Sequence, residues 1–220
     1  PVGDWYEVGP QFSLRALGQA APTQRERTFW TGERGASPVR VYPNLTSTGP
    51  IYDETGDILL QPAATLISGA PLDIVEGLGR LESTMSACYI GGEYVIHVPI
   101  RLGSALAAQN LIYVDGAMLR TYCGNRVAIG RGYDPLIGPG GGAPPTGAGS
   151  AWMFATGPIF GIKGQARTFQ AVESFDRSVN TVEFIAEQKH LLGWQCCLVG
   201  VLVTAGGEPA GESSTALQDT

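Results

Sequence analysis

Charge is the scarcest property of this chain. Only 15% of its 220 residues are Asp, Glu, Lys or Arg, against 44% hydrophobic residues. Such a composition suits a chain that hides surface against neighbours, or one with a large buried core. Cations are the rarer sign: 14 Lys and Arg face 20 Asp and Glu, the net charge is −6, and Lys163 and Lys189 are the only lysines. No Lys/Arg cluster occurs, so the chain offers no electrostatic footprint for nucleic acid. Its four cysteines, Cys88, Cys123, Cys196 and Cys197, include no C-x-x-C pair, which removes the usual zinc spacings. Nothing resembles a signal peptide, and no apolar run reaches membrane length.

What is present is richest near the end of the chain. In Phe175 to Thr204, Val182, Phe184 and Ala186 alternate with Glu183, Glu187 and Lys189, the period of a half-buried strand. Cys196 to Val203 is an almost unbroken apolar run, as in a strand covered on both faces. Gly193 lies between them, where a bend is expected. These two segments are expected to pair at the centre of a sheet. Of Cys196 and Cys197, adjacent on a strand, one should pack in the core and the other cover the opposite face. Ala205 to Thr220, rich in Gly, Ser, Glu and Pro, reads as a loose tail.

Taken in order, Pro1 to Phe12 reads as extended. Leu14 to Trp30 is a candidate helix interrupted at Pro22, with Thr23 and Glu26 as a capping box for its second piece. Gly32 to Pro50 reads as a loop with one short strand. Ala70 to Ser86 is the clearest helix, with Pro71 in its first turn and Leu72, Val75, Leu78, Leu81 and Met85 as its apolar stripe. Gly77 and Gly79 weaken that helix and leave room for another backbone. Strands are expected at Tyr94 to Val98, Arg126 to Ile129 and Trp152 to Ile162, the last broken by Gly157-Pro158. Leu102 to Asn110 reads as a short helix, and Asp115-Gly116 as a turn. Tyr133 to Ser150 is too rich in Gly and Pro to pack and reads as a mobile surface loop. Lys163 to Phe175 reads as an edge strand with a turn. One or two helices and five to seven strands in mixed order give the class α+β.

Candidate chemistry is sparse. His97 sits in an apolar strand, where a hydrogen-bonded core histidine is the usual outcome, and His190 reads as a surface residue. A Cys–His nucleophile needs both groups in one cleft, and no local signature brings them together. The PGGG stretch at Pro139 to Gly142 lacks the Lys and helix of a phosphate-binding loop. Gly124-Asn125-Arg126 and Gly130-Arg131-Gly132 read as turns, as does the acidic group Asp53, Glu54 and Asp57. Asn44-Leu45-Thr46 matches a glycosylation sequon by chance. No catalytic, cofactor-binding or metal-binding residue is assigned.

The order of segments resembles one family. RERTFWTGERGASP (25–38) is similar to the end of a long spine helix leading into a Gly-rich loop in the major capsid proteins of tailed bacteriophages, which have the Hong Kong 97-like (Johnson) fold. PLDIVEGLGRLESTM followed by EYVIHVPIRLGSAL resembles that family's helix–strand–helix axial core. GAMLRTYCGNRVAIGRGYD and AWMFATGPIF resemble its next strands, and FDRSVNTVEFIAEQKHLLGWQCCLVGVLV its closing peripheral strands, most closely in the type encoded by phages of actinobacteria. The resemblance runs from about Arg25 to Val203. It implies an N-terminal region with a remnant of the spine helix (1–50), an axial-type domain (51–150), returning peripheral-type strands (151–204) and a tail (205–220). It further implies a non-enzymatic shell subunit of the virion, assembled in the bacterial cytoplasm, with copies of itself and other head proteins as partners. Packaged DNA would be enclosed without sequence-specific contacts, with no membrane and no cofactor. Lys–Asn crosslinking, used by some members, is not assigned to Lys163 or Lys189. The alternatives are a minor head protein, an encapsulin-like compartment shell and, in a different class, a cytosolic Cys-dependent enzyme.

Overall fold

The computed structural model describes residues 4–34, 37–40, 44–46, 51–52, 58–59, 64–89, 92–139, 149–170, 184–195 and 197–204. Among them the chain is mixed α+β, with three helices and one large mixed sheet. The tail, the acidic group at 53–57 and residues 140–148 lie outside the described residues.

The first helix, α1, is Asp4–Thr31, continuous for 28 residues through Pro10 and Pro22. At 1.5 Å per residue it is about 42 Å long. This corrects three expectations: the extended start, the break at Pro22 and the capping box. A proline inside a helix costs about 3 kcal/mol, so tertiary packing must override propensity here. The packing is visible as a stripe at a four-residue spacing. Ser13, Leu17, Ala21 and Arg25 are half-buried, the first three between exposed neighbours. Glu26, in mid-helix, reaches out to accept a hydrogen bond from the Gly132 backbone N–H at 2.8 Å. The helix stops at Gly32, whose φ of 74° suits glycine and whose N–H donates to the Thr28 carbonyl at 2.8 Å.

Two short antiparallel pairs follow, β1 (Glu33–Arg34) with β2 (Ser37–Arg40) and β3 (Ile51–Tyr52) with β4 (Ile58–Leu59). The large sheet comprises β5 (Thr65–Leu66), β6 (Leu72–Asp73), β7 (Val95–Pro99), β8 (Ile112–Asp115), β9 (Met118–Thr121), β10 (Arg126–Gly130), β11 (Ser150–Thr156) and β16 (Leu198–Thr204). Its order is β5-β16-β11-β7-β10-β9-β8, with β6 also pairing β16. The strands come from both sides of the boundary expected at residue 150. β16 lies inside the sheet, antiparallel to β11 on one side and parallel to β5 and β6 on the other.

Each face of the sheet has its own core. Helices α2 (Ile74–Cys88) and α3 (Ile100–Ala108) cover one face, placing Leu78, Leu81, Met85, Leu102 and Leu106 on Ile96, Val98, Met153, Val199, Val201 and Val203. The end of α1 covers the other, with Phe29, Trp30, Leu45 and Tyr133 over Trp152, Phe154, Leu198 and Leu202. Every residue of β11 is buried, and so is every residue of β16 but Thr204, which is why the apolar run at the end of the chain is nearly unbroken. Tyr133 to Pro139 packs, contrary to expectation. Trp30 stacks on Tyr133 at 4.7 Å and its indole N–H donates to the Ile137 carbonyl at 2.9 Å.

The alternating segment before that run does not pair with it. β12 (Ile159–Lys163) pairs with β15 (His190–Trp194), and β13 (Arg167–Gln170) with β14 (Phe184–Glu187). Gly164 N–H donates to the Lys189 carbonyl at 2.9 Å, and the Gln188 amide donates to the Gly164 carbonyl at 2.8 Å, so the two pairs continue as one ribbon. The ribbon's β13–β14 part lies along α1. Gly193 is in register with Phe160 rather than at a bend, and a Cβ there would stand 2.4 Å from the ring.

Helix α2 starts at Ile74, four residues later than expected. Pro71 lies outside it, and Asp73 is the N-cap, its carboxylate accepting from Val75 N–H at 2.8 Å. The two glycines of α2 differ. A Cβ on Gly77 would stand 2.2 Å from Val203 Cγ1, whereas one on Gly79 meets nothing within 4 Å. The room at Gly77 therefore serves a strand of the same chain. Cys88, at the end of α2, is disulfide-bonded to buried Cys197 at the start of β16, with Cα atoms 6.1 Å apart across 109 residues of sequence. Sequence reading left both thiols unpaired.

Gly77→Ala should lower stability in urea unfolding by about 1–3 kcal/mol through overpacking against Val203, while Gly79→Ala should raise it by up to about 1 kcal/mol. Equal effects would contradict this packing. Reduction of the disulfide should lower stability by about 2–4 kcal/mol because a long loop is opened; an unchanged urea midpoint would contradict a formed bond.

Candidate functional site

Two buried polar clusters, one open groove and one exposed ribbon face hold the groups that could carry function. His97 is at the centre of the first cluster. It is fully buried on β7, edge-on to Phe29 at 5.3 Å. Thr156 Oγ1 donates to the Gly157 carbonyl at 2.9 Å, so it accepts from His97 Nε2 at 3.0 Å. His97 Nδ1 then accepts from the Tyr133 hydroxyl at 3.2 Å. Burial lowers the His97 pKa to about 3, and burial, then the nearby Glu26, raises that of Tyr133. The imidazole is therefore neutral and satisfied, a core histidine as its apolar strand suggests.

Glu82 anchors the second cluster. This carboxylate, buried on α2, accepts from Thr121 Oγ1 at 2.6 Å and from Asn125 Nδ2 at 2.9 Å. Its backbone carbonyl accepts from the Tyr94 hydroxyl at 3.2 Å. Burial raises the Tyr94 pKa to about 12. These bonds clamp the Gly124-Asn125 turn, between β9 and β10, onto the helix. Cys123, in the same turn, is exposed and outside the disulfide. Its thiol is pushed up, first by a hydrogen bond to Glu82 and then by that residue's charge. A nucleophilic cysteine needs the opposite shift. Nothing in the sequence near Glu82 announced this cluster, because its partners lie 39 and 43 residues away on another element.

On the sheet face over β7, β10 and β9 an open groove of about 690 Å³ is lined by Glu93, Val95, Met118, Arg126, Ala128 and Ile159. Its polar rim is an ion-pair network. Glu93 pairs with Arg120 and, at 2.9 Å, with Arg126 Nε, while Arg120 Nε meets Asp115 Oδ2 at 2.7 Å. Burial alone would raise the Glu93 pKa, but hydrogen bonds from Arg126 and Arg120 bring it below the usual carboxylate range. With each of these charges paired to a neighbour on the same sheet, the rim locks β9 to β10 more readily than it presents a free cation to a ligand.

The exposed surface belongs to the ribbon. Register places Phe160, Ile162 and Leu191 together on one face, and all three are exposed. The opposite face turns inward, with Trp194 edge-on to Phe29 at 5.4 Å and Leu192 against the same core. On β13–β14 the cross-strand pair Phe169 and Ile185 is exposed as well. His190 is half-buried, with Nε2 3.1 Å from Gln188 Oε1, and burial, Arg25 and Lys163 lower its pKa.

The remaining sequence candidates are structural where they are described. Asn44 Oδ1 accepts from Thr46 N–H at 3.0 Å and from its hydroxyl at 2.9 Å, and both residues are buried, so the sequon is an internal turn. Gly130-Arg131-Gly132 is a bend against α1, where a Cβ on Gly132 would stand 2.2 Å from the Thr23 carbonyl oxygen. Cys196 lies outside the described residues. Among the described residues no group of three or more His, Cys, Asp and Glu could hold a metal, and no helix is long and apolar enough to cross a membrane. No family model matches the chain, and no curated protein matches it.

The depressed His97 pKa links stability to acid. The unfolded chain binds a proton below about 6.5 that the folded chain refuses until about 3, so stability falls as pH drops through that window. Between pH 7 and pH 4.5 the loss is about 2–3 kcal/mol from this residue. Urea unfolding at both pH values should show it, and His97→Gln should flatten the difference. An identical pH dependence in the variant would contradict the assignment.

Proposed function

We propose that the chain is a structural subunit of a tailed-phage head, assembling with copies of itself into the icosahedral shell that encloses packaged double-stranded DNA. The observation that carries this reading is an apolar ribbon left open beside a long helix, on a body whose central strands β7, β11 and β16 are already covered on both faces. A chain whose core is complete has no folding reason to keep Phe160, Ile162, Leu191, Phe169 and Ile185 in water.

The layout supports the capsid family in particular. In the resemblance, the Thr-Gly stretch ends a spine helix, and here a 28-residue helix ends at Thr31-Gly32, longer than the remnant expected. The helix–strand–helix segment corresponds to α2, β7 and α3 of the body, as an axial domain requires. The ribbon alongside α1 fits the peripheral strands, with β16 returning to the body. A shell works through many repeated modest contacts under closed symmetry and needs no reactive group. The net charge of −6 fits DNA that is enclosed rather than read. The raised Cys123 thiol weighs against that residue as a nucleophile.

Negative-stain electron microscopy of the purified chain, with sedimentation velocity on the same sample, tests the proposal. Large symmetric particles or capsomer rings are expected. A uniform monomer at every concentration would overturn it, and a monomer with a turnover abolished by thiol alkylation would move the reading to the enzyme class. Binding only to preformed heads would point to a minor head component.

A further inference from the structure

We propose that the outer face of the β12–β15 ribbon is a docking surface for a second copy of this chain, apolar face against apolar face about a local two-fold axis. This rests on the shell reading and names the contact it would use. The face is built by register. Ile162 lies opposite Leu191, and Phe160 lies over Gly193, where the missing Cβ lets the ring lie flat. Phe160, Ile162 and Leu191 are 50%, 65% and 58% exposed. Register places no charged residue between them on that face.

Two features favour a sister copy. The first is area. Three large side chains at that exposure offer roughly 300 Å² of apolar surface, the size of a functional patch on a monomer. That is well below the about 800 Å² per partner of a stand-alone interface, and it fits one of several contacts that each subunit repeats. The second is charge. Lys163 and Lys189 stand at the end of β12–β15 that runs on into β13–β14, near His190 and Arg25, while Pro158 and Gln195 close the other end. A two-fold axis across the face runs the ribbons antiparallel, so the cationic ends point apart and the apolar residues meet.

The test is Ile162→Asp with Leu191→Asp in the full chain, measured by sedimentation velocity over a concentration series beside the wild type. Both positions are exposed, so thermal melting should stay unchanged while the concentration needed for association rises at least ten-fold. A variant that associates like the wild type overturns the docking surface and leaves the shell reading standing. A wild type that forms only a dimer, lost in the variant, supports the surface and overturns the shell. A wild type that stays monomeric overturns both. Should the double variant fold poorly, Ile162→Cys in a Cys123→Ser, Cys196→Ser background with a short thiol crosslinker replaces it: a covalent dimer is expected, and monomer alone overturns the contact. Vesicles of anionic phospholipid are the counter-probe, and binding by the wild type that the double variant loses would assign the face to a membrane instead.

Discussion

The pairing of β11 with β16 is the constraint on which the rest of the structure depends. Seven consecutive residues of each strand are in register, from Ser150 opposite Thr204 to Thr156 opposite Leu198. Almost every side chain on both is buried, alternately toward α2 and toward the end of α1. Two strands wet on neither face oblige the chain to supply two separate covers. Helices α2 and α3 form one, and Phe29, Trp30, Leu45 and Tyr133 form the other. The close approach at Gly77, the disulfide from Cys88 to Cys197 and the neutral His97 all serve to press a cover onto this pair.

The same pair divides the molecule by energetic character. Between β11 and β16 the chain leaves the body through β12 and returns through β15. What lies outside is a two-stranded ribbon along a long helix. Ribbons of two strands are marginal alone in water, and this one keeps apolar residues on its outer face. Body and arm thus differ: the central strands of the body are covered on both faces, and the outer face of the arm is not. On the shell proposal a second copy covers the arm, so one gene product supplies both the arm and its cover.

Much of the body was legible in the sequence. The run from Cys196 to Val203 announced the covered strand found at Leu198–Thr204, the number and order of elements gave the α+β class, and the stripe Leu72, Val75, Leu78, Leu81 and Met85 announced α2, although Leu72 lies in β6 and Val75 is exposed. His97 read correctly as a core histidine. The failures share a cause, since each depends on contacts between residues far apart in sequence. Pro10 and Pro22 break a helix by local rules, yet α1 runs through both because one side of it is held against the ribbon. Tyr133 to Pro139 has the composition of a loop and packs because Trp30 waits for it. Val182 to Lys189 has the period of a strand, but periodicity does not name a partner, and β14 joined β13 instead of β16. Cys88 and Cys197 could not be paired from spacing, and the Glu82 cluster exists only once α2 meets the β9–β10 turn.

The central claim is a body that is stable by itself and an arm that its neighbours complete. Amide hydrogen exchange read by mass spectrometry, on the chain before and after association, tests it directly. The account predicts that β11 and β16 exchange slowest in both states, and that the described ribbon segments 159–170 and 184–194 exchange fast in the unassociated chain and slow on association. A ribbon as protected as β16 in the unassociated chain, or one whose exchange ignores association, would contradict it.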